Sequence, residues 1–547
     1  MFQRAQQHYA AGQLAPAREV FSELSRRWPQ APEPLEFLAM IALQSGQAEP
    51  AVKAFGQLTA IAPANPLYCD RLAGLLSRLG RADEALAHYR QFLQANPRQL
   101  ASRFNYASLL RRHGHLEEAL RAYEHCIEEG IERPEEALTN MAVILADLNR
   151  QDEAAAALRR AIDINGDYFP ARYNLALQLE ESGDWPGARQ QLQRIPAGDP
   201  LYHQALARQA HGETIGDSQH PLIARIEQAL ADPGCSDERR EELEFALAKA
   251  CDDCGRYEQA FEHCDRANSL ALGRVPAYAP AAREALVGQL MAQDSAGAWA
   301  GIEAVSAAPL VFLCGMFRSG STLLEQMLAA HPALVAGGEI SFFASHLPPG
   351  ELAGGLPAAR AGELGRAYLQ QLSARFGEGQ RVIDKRLDNG YYIGLLRRLF
   401  PQAVFLRSTR HPLDTALSIY FQQLAAGFAY ANRLEDIGHY WLQQQRLMDY
   451  WQRRYPGLVV DVAYEDIVRS PGETLEPVLQ GLGLDWSDEC LAFHRQQSRV
   501  RTASVAQVRK PLYSGSVGRW KNYRQQLQPL REQLLAAGNP GNYELGD

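Results

Sequence analysis

A 34-residue period runs through the N-terminal half and limits this chain's fold more than any other feature. Glycine, or once asparagine, recurs at Gly12, Gly46, Gly80, Gly114, Asn149 and Gly183, in steps of 34, 34, 34, 35 and 34 residues. Alanine stands five residues after each, at Ala17, Ala51, Ala85, Ala119, Ala154 and Ala188, and Pro29, Pro63 and Pro97 keep the same step. Alanine lets two helices approach closely, glycine lets the chain turn between them, and proline ends the second helix. Such a unit buries its apolar stripe only against its neighbours, so the copies stack into a solenoid with a concave groove. A displaced copy carries Gly255 and Ala260, again five apart. Between Ala210 and Pro233 the phase breaks, and Gly212, Gly216, Pro221 and Pro233-Gly234 predict a loop plus an irregular helix.

The C-terminal half reads as strand–helix alternation. Leu310 to Cys314 is an apolar run short enough for a buried strand. It leads through Gly315-Met-Phe-Arg-Ser-Gly-Ser-Thr322 into Leu323, Leu324, Met327 and Leu328 at helical spacing. Unpaired amides at a helix start attract an anion. Glycine, four residues, glycine is the spacing of a nucleotide P-loop, but Ser321 stands where its lysine belongs. That disfavours a nucleoside triphosphatase or nucleotide kinase. Arg318 with the hydroxyls of Ser321 and Thr322 suits a singly esterified phosphate beside another oxyanion. A plain structural corner is the alternative, and so many polar groups in eight residues count against it.

Further strands are predicted at 381–386, 401–407 and 458–463, giving a parallel α/β sheet with ligands at the strands' carboxyl ends. Glu339 follows a predicted Gly337-Gly338 turn. It is either a base facing the same cleft or a carboxylate paired with a helix dipole, and the fragment alone leans to the latter. Arg410 and Ser418 flank a helix start, placed for a second phosphate. His411, beside Pro412, reads as structural. Arg495 to Arg531 holds nine Lys or Arg and no Asp or Glu. This is a cationic flap over a multiply charged anion or a solvated basic face, with RNA binding the weaker third choice.

The 547 residues predict more than one domain: a repeat array over 1–215, an irregular helical region with a further repeat-like pair over 216–295, a linker over 296–308 and a catalytic domain over 309–547. A net charge of −9 argues against nonspecific nucleic-acid binding. The sequence contains no apolar run of about twenty residues, so no membrane span is expected. Met1 to His8 lacks a signal-peptide core, and eight scattered cysteines suit a reducing cytoplasm. Cys251, Cys254, His263 and Cys264 have the crude look of a zinc site. They occupy apolar positions of a helical repeat, so no metal is expected.

The period resembles the tetratricopeptide repeat. The second half resembles sulfotransferases that use 3′-phosphoadenosine 5′-phosphosulfate (PAPS), and in particular the protein-tyrosine sulfotransferase-like branch that bacteria fuse to such repeats. The pieces are Gly315 to Thr322, Gly338-Glu339, Asp384-Lys385, Arg410 with Ser418, Tyr464-Glu465, and Lys510-Pro511 with Gly518-Arg519-Trp520. The resemblance implies an all-α solenoid followed by an α/β sulfotransferase domain with a P-loop-like parallel sheet. It implies that Arg318, Ser319, Gly320, Ser321, Thr322 and Leu323 hold the 5′-phosphosulfate and that Arg410 and Ser418 hold the 3′-phosphate. Lys510 would close over the nucleotide, and Tyr464 would lie beside it. It makes Glu339 the general base, reversing the reading from its fragment, and places Arg318 and Lys385 on the transferring group. Phe317 departs from the family's proline, and Ser498 and Ser504 are both candidates for a further serine. The implied reaction yields a sulfate ester and adenosine 3′,5′-bisphosphate, and the activated anhydride means the scheme requires no metal. The expected acceptor is a tyrosine in a peptide or protein recruited by the groove. A glycan or small-molecule hydroxyl is the alternative acceptor. A repeat scaffold with a degenerate nucleotide-binding domain is the alternative class. The array itself leaves open a spacer or a homodimer surface.

Overall fold

The computed structural model describes residues 1–148, 150–495, 512 and 514–546. The chain divides into two compact units, Met1–Gln178 and Leu179–Asp547.

The first unit is helical throughout its regular structure. Pairs such as Pro32–Gln44 with Ala48–Ile61, and Pro66–Arg78 with Ala82–Ala95, repeat along it. The periodic alanines Ala17, Ala51, Ala85, Ala119 and Ala154 are fully buried where two helices meet. Gly46 and Gly80 turn the chain with φ of +68° and +75°, a conformation that costs a side chain strain. Second helices end at Arg27, Ile61 and Ala95, two residues before Pro29, Pro63 and Pro97. Proline disfavours helical geometry in the residue ahead of it, so the stop is local. Polar links join successive repeats, as between Arg81 and Glu49 at 3.2 Å, but this pair is exposed and adds little stability.

The second unit opens with more helices, among them Tyr202–Gly212 and Pro221–Leu230 across the break in phase. The hairpin Asp237–Asp253 and Tyr257–Leu272 turns at Gly255. Residues 296–308 contain no helix or strand, yet Trp299 and Ile302 are buried in the core of the following sheet. The Val305 N–H donates to the Leu399 carbonyl at 2.9 Å.

Five parallel strands follow: β1 (Val311–Gly315), β2 (Val335–Gly338), β3 (Val382–Asp384), β4 (Val404–Thr409) and β5 (Val459–Ala463), in the order β2-β3-β1-β4-β5. The apolar run of β1 is explained by burial on both faces. Phe312 packs with Phe405, Tyr368 and Phe400 on one side, while Val311 and Leu313 meet Leu324, Met327 and Leu328 on the other. Of the Gly337-Gly338 turn predicted from sequence, Gly337 is instead part of edge strand β2, which ends at Gly338 in a left-handed turn at φ +69°. Sheet pairing overrides the glycine signal: a Cβ at Gly337 would lie 2.6 Å from the Ile383 carbonyl on β3.

Candidate active site

The carboxyl end of β1 is drawn close to β4. A Cβ on Gly315 would sit 2.6 Å from the Ser408 carbonyl, so only glycine permits this approach. The loop then passes through Arg318 at φ +66°, an uncommon conformation for a residue with a side chain, and Gly320 at φ +95°. Gly320 caps the helix Ser321–Ala329, and a Cβ there would lie 2.6 Å from the Tyr464 ring. Tyr464 thus packs directly against the loop. Ser319 and Ser408 share a hydrogen bond between hydroxyls at 2.6 Å. Ser321 and Thr322 are buried at the helix start, with Leu323 beneath them in the core. Phe317 lies against Phe428, ring centres 5.0 Å apart.

Two guanidinium groups meet at this loop. Arg318 Nε donates to Ser418 Oγ at 2.9 Å, and Arg410 donates to the Arg318 carbonyl at 3.1 Å. Arg410 also donates to the Ser516 carbonyl at 2.6 Å and stacks 4.8 Å from the centre of the Tyr464 ring. Each arginine is only 8% exposed. The Nε of Arg410 is buried without a hydrogen-bond partner among the described residues, and so is Thr415 Oγ1. Both line the cleft with Gly315, Ser319 and Ser408. An unmet buried donor is costly, and an acceptor bound in this cleft would satisfy it. Residues that the sequence places at two separate phosphate positions, Arg318 and the Arg410–Ser418 pair, form one connected cationic surface.

The base candidate lies two strands away from β1. Glu339 follows β2 and is 48% exposed at its side chain, while Lys385 follows β3 and is 1% exposed. Lys385 Nζ donates to Glu339 Oε1 at 2.6 Å. Asp384 accepts from the Tyr368 hydroxyl at 2.8 Å and from Asn389 at 3.2 Å, and burial pushes its carboxyl up to about 6. An exposed carboxylate held by a buried ammonium can accept a proton. The cations nearby can neutralise charge that develops as an oxyanion leaves.

Two supports for this surface were not legible from motifs. Asp414 accepts the N–H groups of Gly518 at 2.6 Å and Trp520 at 2.8 Å, fixing the C-terminal segment beside the helix Pro412–Tyr420. Asp252, on the helix Asp237–Asp253, pairs with Arg519 at 2.8 Å and accepts the Tyr523 hydroxyl. Asn268 and Cys264 from the same hairpin both donate to the Tyr420 carbonyl at 2.9 Å. His411 stacks on Trp520 with ring centres 5.1 Å apart, and its backbone N–H donates to the Glu465 carboxylate at 2.9 Å. Cys251 is buried among apolar neighbours, and Cys254 Sγ donates to the Ile215 carbonyl at 3.1 Å. Among the described residues, no group of three or more His, Cys, Asp or Glu is arranged to hold a metal. No described helix is long and apolar enough to cross a membrane. Lys510, Ser498 and Ser504 lie outside the described residues.

Residues 309–488 match the sulfotransferase family, and residues 2–66, 71–130, 109–169 and 145–209 match tetratricopeptide repeats. An uncharacterized protein of Aquifex aeolicus is 28% identical over 426 residues, covering 72% of this chain and 53% of its own length. The chain therefore spans about half of that relative. Protein-tyrosine sulfotransferase 2 of Gallus gallus is 26% identical over 273 residues, covering 43% of this chain and 72% of its own. Among solved structures, the sulfotransferase domain of the Synechococcus PCC 7002 olefin synthase is 24% identical with a TM-score of 0.32, covering 40% of this chain and 89% of that one. The chain carries a sulfotransferase-family domain behind a run of tetratricopeptide repeats.

Proposed function

We propose that the chain transfers a sulfuryl group from PAPS to an acceptor hydroxyl. The observation that carries this reading is the pairing of a cationic anion cleft with the Glu339–Lys385 couple at neighbouring strand ends. The buried, unmet Nε of Arg410 and the start of the helix Ser321–Ala329 suit a nucleotide with two anionic groups. Arg318 and the loop 319–323 hold the phosphosulfate end, Arg410 and Ser418 the 3′-phosphate, with Tyr464 against the loop and Lys510 from the C-terminal segment. When bound, the donor supplies a sulfuryl group on an activated anhydride. Glu339 takes the proton of the acceptor hydroxyl. Lys385 and Arg318 offset negative charge on the sulfuryl oxygens and the departing phosphate.

The acceptor in this reading is a tyrosine of a peptide or protein. The named protein-tyrosine sulfotransferases among the relatives support it, as does the peptide-binding habit of tetratricopeptide grooves. The array, residues 1–215 by its period, recruits that acceptor ahead of the catalytic domain at 309–547.

Glu339→Gln tests the chemistry. Turnover of labelled PAPS with a tyrosine peptide should fall ~10²–10⁴-fold while adenosine 3′,5′-bisphosphate binds as before. Turnover at the wild-type rate would remove Glu339 from the role of base. Sulfate appearing on a phenolic small molecule but on no tyrosine peptide would move the acceptor to the small-molecule class.

A further inference from the structure

Glu325 lies on the helix Ser321–Ala329, past the loop residues that face the anion, and is 3% exposed. A carboxyl group so deeply buried needs a structural partner or a task. Its Oε1 accepts the N–H of Gly338 at 2.8 Å. Gly338 ends β2 at φ +69°, and this left-handed turn sends the next residue, Glu339, out of the sheet. The Gly338 carbonyl accepts the Lys385 N–H at 2.9 Å, and Lys385 Nζ returns to Glu339 at 2.6 Å. A closed set of contacts thus runs from the helix to the end of β2, across to the residue after β3, and back to Glu339. The charged groups facing Glu325 are Lys385, Asp384 and Glu339; burial pushes its own carboxyl up to about 7, with Lys385 and the Gly338 N–H pulling the other way.

We infer that Glu325 is a positioning residue for the transfer proposed above: it anchors the turn that presents Glu339 and Lys385 and touches neither substrate. The inference rests on that reading for its effect on rate, but the anchor itself can be read without turnover.

Two variants test it. Glu325→Leu removes the acceptor for the Gly338 N–H, and Glu325→Gln keeps one. In Glu325→Leu, amide hydrogen exchange at Gly338 should speed up. Its kcat should fall by up to ~10²-fold, as expected for a displaced catalytic group, with unchanged affinity for adenosine 3′,5′-bisphosphate. Glu325→Gln should restore slow exchange and most of kcat. Unchanged exchange at Gly338 in the leucine variant overturns the inference. So does a loss of nucleotide affinity as large as the loss of kcat, which would make Glu325 a prop for the anion loop. A wild-type protein that moves no sulfuryl group sinks the reaction reading alone, and exchange at Gly338 still decides the anchor.

Discussion

Gly80 in the helical array and Gly320, in the loop after central strand β1, have similar positive φ, +75° and +95°, but they are glycine for different reasons. A Cβ added at Gly80 would meet nothing within 4 Å, whereas at Gly320 it would lie 2.6 Å from the Tyr464 ring. The array uses glycine to set a direction, and open space surrounds Gly12, Gly46, Gly80, Gly114 and Gly183. The site uses it to set a distance, bringing loop, ring and guanidinium into contact. A direction can be set by another residue that tolerates the left-handed region, and the sequence has Asn149 at one step of the period. A distance has no such substitute.

The largest test of this contrast is Gly320→Ala. Left-handed strain and a forced shift of Tyr464 together should cost ~2–5 kcal/mol, read as a lower Tm with loss of adenosine 3′,5′-bisphosphate binding in calorimetry. Retained binding would show that the ring moves freely and that close approach is not what the glycine provides.

A pH series on Glu325→Gln comes next, and probes a buried carboxyl, unlike the exposed Arg81–Glu49 pair of the array. The Glu325 carboxyl titrates at about 7 in the folded chain against 4.5 for an ordinary glutamate. A raised carboxyl pKa stabilises the fold at low pH, and that contribution is lost as pH rises from about 4.5 through 7. Glu325→Gln should therefore gain stability relative to wild type across this window, by up to ~3 kcal/mol at its upper end. A difference that stays flat with pH would mean that Glu325 is ionised throughout.

Asp252→Ala probes a polar contact made by the hairpin rather than a turn. It strips a shared partner from Arg519 and Tyr523 and should cost ~1–3 kcal/mol in thermal or denaturant unfolding. Weakened nucleotide binding should accompany it, because Arg519 and Trp520 belong to the segment that Asp414 pins. The smallest effect belongs to Gly80→Ala, at ~1 kcal/mol of local strain with nucleotide affinity unchanged. If Gly80→Ala proved as damaging as Gly320→Ala, the distinction between direction and distance would fail.

The helical pairs were legible because each repeat answers to its own 34-residue window: the turn, the close contact and the stop all lie within it. The anion loop was legible for the same reason, since Gly315 to Thr322 is contiguous. Arg410 and Ser418 could be named, but their union with Arg318 could not, because the Arg318–Ser418 bond joins residues 100 positions apart. Glu325 reads in sequence as one more helical acid, and its burial is decided by the end of β2. Strand β2 itself was hidden, since Val335–Gly338 is short and ends in two glycines. Asp252 sits inside the Cys251–Cys254 cluster, where cysteine spacing drew attention to metal chemistry. Both aspartates between those cysteines have defined partners: Asp253 accepts the Ile215 N–H, and the partners of Asp252 lie more than two hundred positions away.

The hairpin Asp237–Asp253 and Tyr257–Leu272 looks like the last tooth of a comb, yet its hydrogen bonds reach Tyr420 and Tyr523. For anyone transplanting this domain onto a different array, the seam therefore lies at Leu179, because residues 206–235 share a core with the hairpin and the second compact unit begins there. A cut at 309 would leave behind the carboxylate that Arg519 and Tyr523 share. Repeats upstream of Leu179 are interchangeable parts in a way the hairpin is not, so a recombined gene must inherit the helices from Leu179, the hairpin and the sheet as one cassette.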